Sequence, residues 1–274
     1  MPETCTYASH DRVALMADLY APMGAGPFPA LVAVHGGGWQ GGARSTFQYW
    51  GPYLAERGYV LLAISYRFAR KGQKMFPQAV ADVLAAVQFV RASAQKLKVE
   101  PERIGLFGAS AGAHLAALAA LGAERFKGGY PNDEHASASP RVKALVGVYG
   151  VYDLVEMWQR YQLQSPRENN IENFMGASPM DDPRLYFDAS PINHVTFANN
   201  GKGVFLAVGT EDDLVNRRAQ TDAFLLRLKQ ANFFARTCIV QGAPHYWLGD
   251  PIDEARSYSG FMAPRLVRFL KERL

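Results

Sequence analysis

Gly108-Ala109-Ser110-Ala111-Gly112 stands between an apolar run, Arg103-Ile104-Gly105-Leu106-Phe107, and an alanine-rich run from Ala111 to Leu121. The first run reads as a buried strand and the second as a helix. A serine between two glycines at such a junction reads as a nucleophile elbow. The chain turns sharply there, and the serine takes a strained backbone conformation. Glycines two residues to either side let backbone segments pass close together. The hydroxyl then stands at the end of a sheet, beside a helix N-terminus that favours developing negative charge.

A second glycine cluster lies upstream. His35-Gly36-Gly37-Gly38-Trp39 directly follows the apolar run Ala30-Leu31-Val32-Ala33-Val34. Placed after an early strand and paired with an elbow, it reads as a loop whose backbone N–H groups face a developing oxyanion. Gly37 and Gly38, with Ala111 after the elbow serine, are the expected donors. Losing one such donor costs on the order of 3 kcal/mol of transition-state stabilisation.

Working outward, two strands open the chain, near residues 4–8 and 13–20. The second alternates loosely, as an antiparallel strand with one exposed face does. Further strands are expected at 30–34, 59–65, 103–107, 142–149, 203–208 and 234–240. Helices are expected at 47–57, 78–95, 111–121, 217–230 and 263–273. Apolar runs without alternation, separated by helices, imply an α/β architecture: a mostly parallel sheet of eight strands with helices on both faces. The 274 residues, 49% hydrophobic and 20% charged, suffice for a single domain with a sizeable core. Residues 152–200 break the rhythm. This stretch is too long for an ordinary connection and rich in aromatics and methionine, so a lid or cap inserted before the penultimate strand is expected.

Other classes receive no support. No run approaches the 18 or so apolar residues of a membrane span, and the first residues do not read as a signal peptide, which gives a cytoplasmic expectation. The two cysteines, Cys5 and Cys238, lie in strand-like runs and read as reduced thiols. No zinc-ligand spacing occurs, so no metal or cofactor is expected. The net charge of +4 is scattered. The group Arg67, Arg70, Lys71 and Lys74 reads as a solvated loop, and no nucleic-acid partner is expected. Oligomeric state is open, with a homodimer possible.

A serine nucleophile needs a base and an acid. In a fold with this elbow the chain order is serine, acid, histidine. Of six histidines, only His245, in Gly242-Ala243-Pro244-His245, follows the last strand. His114 sits four residues beyond Ser110 and suits packing or a supporting hydrogen bond. His35 suits bracing its own loop. His10, His135 and His194 carry no signal. The acid comes from Gly209-Thr210-Glu211-Asp212-Asp213, after the penultimate strand. Asp212 is preferred, with Asp213 as the alternative and Glu211 turned outward. Trp39, Phe68, Trp158 and Trp247 are candidates to line a substrate pocket, each near a strand end or in the insertion.

These motifs resemble the α/β-hydrolase superfamily, and within it the esterase branch with an HGGGW loop. Ser65-Tyr66-Arg67, Pro101-Glu102-Arg103-Ile104, Ala113-His114-Leu115 and Ala189-Ser190-Pro191-Ile192 carry the resemblance further, over nearly the whole chain. It is similar to bacterial hydrolases of the hormone-sensitive-lipase, feruloyl-esterase and kynurenine-formamidase types. The resemblance implies an α/β-hydrolase fold and Ser110, Asp212 and His245 as a triad. It departs at Ala113, where a second glycine is common, and in having no long N-terminal cap. The implied activity is that of a serine carboxylesterase on short-chain or aryl esters. The alternatives are an arylformamidase using the same triad and, from another class, a non-catalytic binding protein on this fold.

Overall fold

Eight strands form one sheet in the order β1-β2-β4-β3-β5-β6-β7-β8 in the computed structural model, which describes residues 2–126, 130, 133–164 and 169–274. The strands are β1 (Glu3–His10), β2 (Val13–Tyr20), β3 (Phe28–Val34), β4 (Val60–Ile64), β5 (Val99–Ala109), β6 (Ala144–Val148), β7 (Gly203–Gly209) and β8 (Phe234–Val240). β1 and β2 pair antiparallel, β2 joins β4 antiparallel, and every other pairing is parallel. The inner strands β4, β6 and β7 are buried along their whole length, which is why their sequences do not alternate. Strand order reverses between β3 and β5. In open α/β sheets ligands bind at the carboxyl ends beside such a reversal.

The helices are α1 (Trp50–Ala55), α2 (Gln78–Ala92), α3 (Ala94–Leu97), α4 (Ala111–Leu121), α5 (Ala123–Phe126), α6 (Leu154–Gln164), α7 (Asn170–Met175), α8 (Pro183–Ala189), α9 (Ala223–Gln230) and α10 (Tyr258–Arg273). Successive strand residues feed opposite cores. Val32 and Val34 point into the core shared with α2, α4 and α9, whereas Leu31 and Ala33 face the core shared with α1 and α10.

Element identities follow the sequence, while several ends shift. β5 starts at Val99 because it pairs with Phe28 before the exposed Glu102 and Arg103. α10 starts at Tyr258, where the Ser257 hydroxyl accepts the Gly260 N–H at 3.0 Å. The helix expected at 217–230 opens with a π turn, Arg218–Asp222, before α9. Residues 152–200 hold α6, α7 and α8. Leu154, Met157, Ile171, Phe174, Met175 and Tyr186 from this stretch are buried in the core of α2 and α4. Cys5 and Cys238 are free and lie on β1 and β8, the two opposite edges of the sheet. Among the described residues no helix is long and apolar enough to cross a membrane.

Candidate active site

Ser110 occupies the one-residue turn between β5 and α4, with φ 53° and ψ −122°. The elbow is crowded on both sides. A Cβ on Gly112 would lie 2.1 Å from the Val34 carbonyl oxygen, and one on Gly108 would lie 2.4 Å from that of Gly112. A side chain at Gly112 would push the end of β3, and the glycine-rich loop after it, away from the serine, and one at Gly108 would push against the start of α4.

Three strand ends meet at this point. The Ser110 hydroxyl donates to His245 Nε2 at 3.0 Å. His245 Nδ1–H donates to Asp212 Oδ2 at 2.8 Å. The Asp212 and His245 side chains are almost wholly buried, at 0% and 3% exposure. The other carboxylate oxygen, Asp212 Oδ1, accepts the N–H groups of Leu214 at 3.1 Å and Val215 at 2.9 Å, which fixes the carboxylate plane. Asp213 and Glu211 are exposed, and the Asp213 carbonyl accepts from Arg160. The geometry thus joins Asp212, and neither neighbour, to His245. The imidazole is held between Tyr149 and Tyr246, each with its ring centroid 4.4 Å away.

Gly37, Gly38 and Ala111 line one cleft of about 350 Å³ together with Ser110 and His245. His35 braces the loop, its Nδ1–H donating to the Gly36 carbonyl at 2.7 Å, and burial lowers its pKa, so the ring is neutral. Trp39 also lines the cleft. The other three aromatic candidates are not brought to it. Phe68 lines a neighbouring hollow with His35, Arg44 and Tyr66. Trp158 packs against the core and donates to Glu172 Oε1 at 2.6 Å. Trp247, 2% exposed, points into the core shared with α10, on the other face of the sheet from α6, α7 and α8. Large apolar rings at strand ends are taken up by the nearest core, and the identity of a residue does not tell which face it joins.

Other cleft residues carry no such sequence signal, among them Val151, Met157, Tyr161, Asn170, Leu214, Val215 and Tyr246. The proximity of Leu214 and Val215 to Asp212 was the one available signal. Asn170 has none, since its place depends on α7 packing across the loop, where its side-chain carbonyl accepts from Gln40 at 2.9 Å. Sequence reasoning also missed a second buried polar group. Arg67 is not solvated but grips Asp82, with Nη2 to Oδ1 at 2.6 Å. His10 lies between Asp82 (2.7 Å) and Asp133 (2.8 Å). A hollow of about 710 Å³ lies beside that group. It is larger than the cleft, yet among the described residues no serine hydroxyl or thiol there is hydrogen-bonded to a histidine, so the smaller cleft is the chemical candidate.

The family model described as BD-FAE matches residues 17–228. Esterase LipQ of Mycobacterium tuberculosis is 32% identical over 207 residues, 74% of this chain and 46% of its own length. Esterase LipC of the same organism is 32% identical over 211 residues, 74% of this chain and 49% of its own. The chain therefore spans about half the length of these relatives. Among solved structures, native Est2, a thermophilic esterase from Thermogutta terrifontis, superposes with a TM-score of 0.78 at 26% identity, covering 99% of this chain and 92% of that one. Its butyrate-bound form gives the same score and identity, with coverage of 99% and 94%.

Proposed function

We propose that this chain, which belongs to the BD-FAE family, is a serine carboxylesterase that uses Ser110, His245 and Asp212 as its triad. The observation that carries this reading is the continuous chain of hydrogen bonds from the Ser110 hydroxyl through both His245 nitrogens to a buried carboxylate. In the proposed cycle His245 Nε2 takes the Ser110 proton as Oγ attacks the ester carbonyl. Asp212 holds the imidazole in the tautomer with hydrogen on Nδ1, and its charge stabilises the imidazolium that forms. The N–H groups of Gly37, Gly38 and Ala111 receive the tetrahedral oxyanion. His245 then protonates the departing alcohol, leaving an acyl-enzyme. Water, deprotonated by His245, releases the acid and restores the serine.

A cleft of about 350 Å³ suits a short acyl group. The butyrate-bound form of the Thermogutta esterase supports the same size class. The wider reading, without commitment to chain length, also agrees with the esterase names of the relatives. The test is hydrolysis of p-nitrophenyl esters from acetyl to decanoyl, with Ser110→Ala in parallel. We expect turnover to be highest at two to four acyl carbons, about 10⁴-fold or more above the variant. Turnover that survives in Ser110→Ala refutes the assignment. Faster cleavage of an N-formyl aryl amide than of any ester reassigns the same triad to formamide hydrolysis.

A further inference from the structure

Trp39 follows the two donor glycines and has φ 61°, a left-handed conformation that a bulky side chain rarely adopts. Such a residue persists only where its surroundings hold it. Its indole N–H donates to His114 Nδ1 at 3.1 Å. The other His114 nitrogen, Nε2, lies 2.8 Å from the Ala189 carbonyl at the end of α8. An indole can only donate and a carbonyl can only accept. The hydrogen of His114 is therefore on Nε2, and Nδ1 keeps its lone pair for Trp39. A single neutral tautomer satisfies both neighbours.

Resting on the esterase reading above, we propose that His114 is a positioning residue: it holds the Trp39 indole, and with it the Gly37-Gly38 turn, and ties that turn to the cap through Ala189. Its place on the fold suits this task. His114 is fully buried on α4, one helical turn beyond Ser110, so it is fixed relative to the elbow. Trp39 is gripped from two further sides. It stacks on Phe174 of α7 at 5.1 Å, and its backbone carbonyl accepts the Ala69 N–H at 2.8 Å. Burial pushes the His114 pKa down to about 4, so the ring stays neutral near pH 7. Oxyanion donors act on charge that exists only in the transition state. A displaced turn therefore lowers kcat and leaves KM in place.

The two nitrogens can be separated by substitution. An asparagine side-chain oxygen falls near the place of Nδ1, and a glutamine nitrogen near that of Nε2. We expect His114→Gln to lower kcat for p-nitrophenyl acetate at least about tenfold at unchanged KM. His114→Asn should recover most of that loss. Trp39→Phe, which removes the same N–H, should lower kcat by a similar factor, and the double variant Trp39→Phe/His114→Gln should lose little more. Equal losses in the asparagine and glutamine variants, or additive losses in the double variant, overturn the proposal. A second readout does not need activity. The Trp39 indole ¹H–¹⁵N resonance, assigned by its absence in Trp39→Phe, should move in His114→Gln and hold its position in His114→Asn. If the wild type cleaves no ester, the esterase reading fails, and this resonance alone decides: identical positions in all three proteins overturn the tie.

Discussion

Two buried histidines in this molecule share one half of their surroundings and differ in the other. His245 and His10 both place Nδ1 against an aspartate, Asp212 at 2.8 Å and Asp82 at 2.7 Å. At Nε2 the first meets a hydroxyl and the second meets another carboxylate, Asp133 at 2.8 Å. Carboxylates accept from both His10 nitrogens, so that ring is held as an imidazolium. Burial lowers its pKa, but the bonds to Asp82 and Asp133 outweigh the burial and the net shift is upward. His10 further stacks on Tyr130 at 3.7 Å, and Asp82 is shared with Arg67. A carboxylate beside an imidazole does not make a base. The group on the opposite nitrogen decides whether a lone pair is available.

The comparison breaks most sharply at the carboxylates. Asp212→Asn should lower kcat/KM for p-nitrophenyl butyrate by on the order of 10⁴, because an amide does not hold the Nδ1–H tautomer. Asp213→Asn, one residue along, should change it less than about threefold, since that side chain is exposed. Similar losses in the two would undo the choice of Asp212. Asp82→Ala tests the other histidine. It leaves Arg67 and His10 buried without a shared counter-charge, and denaturant unfolding should show a loss of about 3–5 kcal/mol. The kcat of the folded variant should stay within a few-fold of wild type.

Acidity sharpens the contrast further. A raised His10 pKa means that the folded protein binds a proton more tightly than the unfolded chain. The stabilisation is complete below the unfolded value of about 6.5 and is lost as pH rises through the folded value. Unfolding free energy followed from pH 6 upward should fall, and His10→Gln should flatten that fall. An unchanged slope would mean that another group governs the alkaline side. The smallest effect belongs to Trp247→Phe. Its indole nitrogen is buried with no acceptor among the described residues, so its removal leaves no partner stranded. We expect kcat/KM to change by less than about twofold, and a larger change would return Trp247 to the cleft.

What the sequence made legible follows from the range of each signal. Buried parallel strands such as β4, β6 and β7 announce themselves as unbroken apolar runs, whereas antiparallel β2 shows as a loose alternation. Ser110 is legible because its turn needs glycines within two residues of it. His245 and Asp212 are legible because chain order assigns each to the loop after a particular strand. The His10 group joins residues 72 and 123 positions apart, and no local pattern encodes such pairings. The cleft wall is hidden for the same reason. Tyr161 and Asn170 reach the cleft only because α6 and α7 bury their opposite sides, and Trp158 on the same helix turns away from it.

Helices α6, α7 and α8 share their core with the sheet, and this bears on how the protein responds to heat. Leu154, Met157, Ile171, Phe174, Met175 and Tyr186 are buried beside α2 and α4. At about 1.5–3 kcal/mol each, lifting them into water would cost roughly as much as an entire domain's stability. Helices α6, α7 and α8 therefore do not swing free while the sheet stays intact. Activity and tertiary structure should consequently disappear over one shared thermal transition, with no inactive folded stage before it.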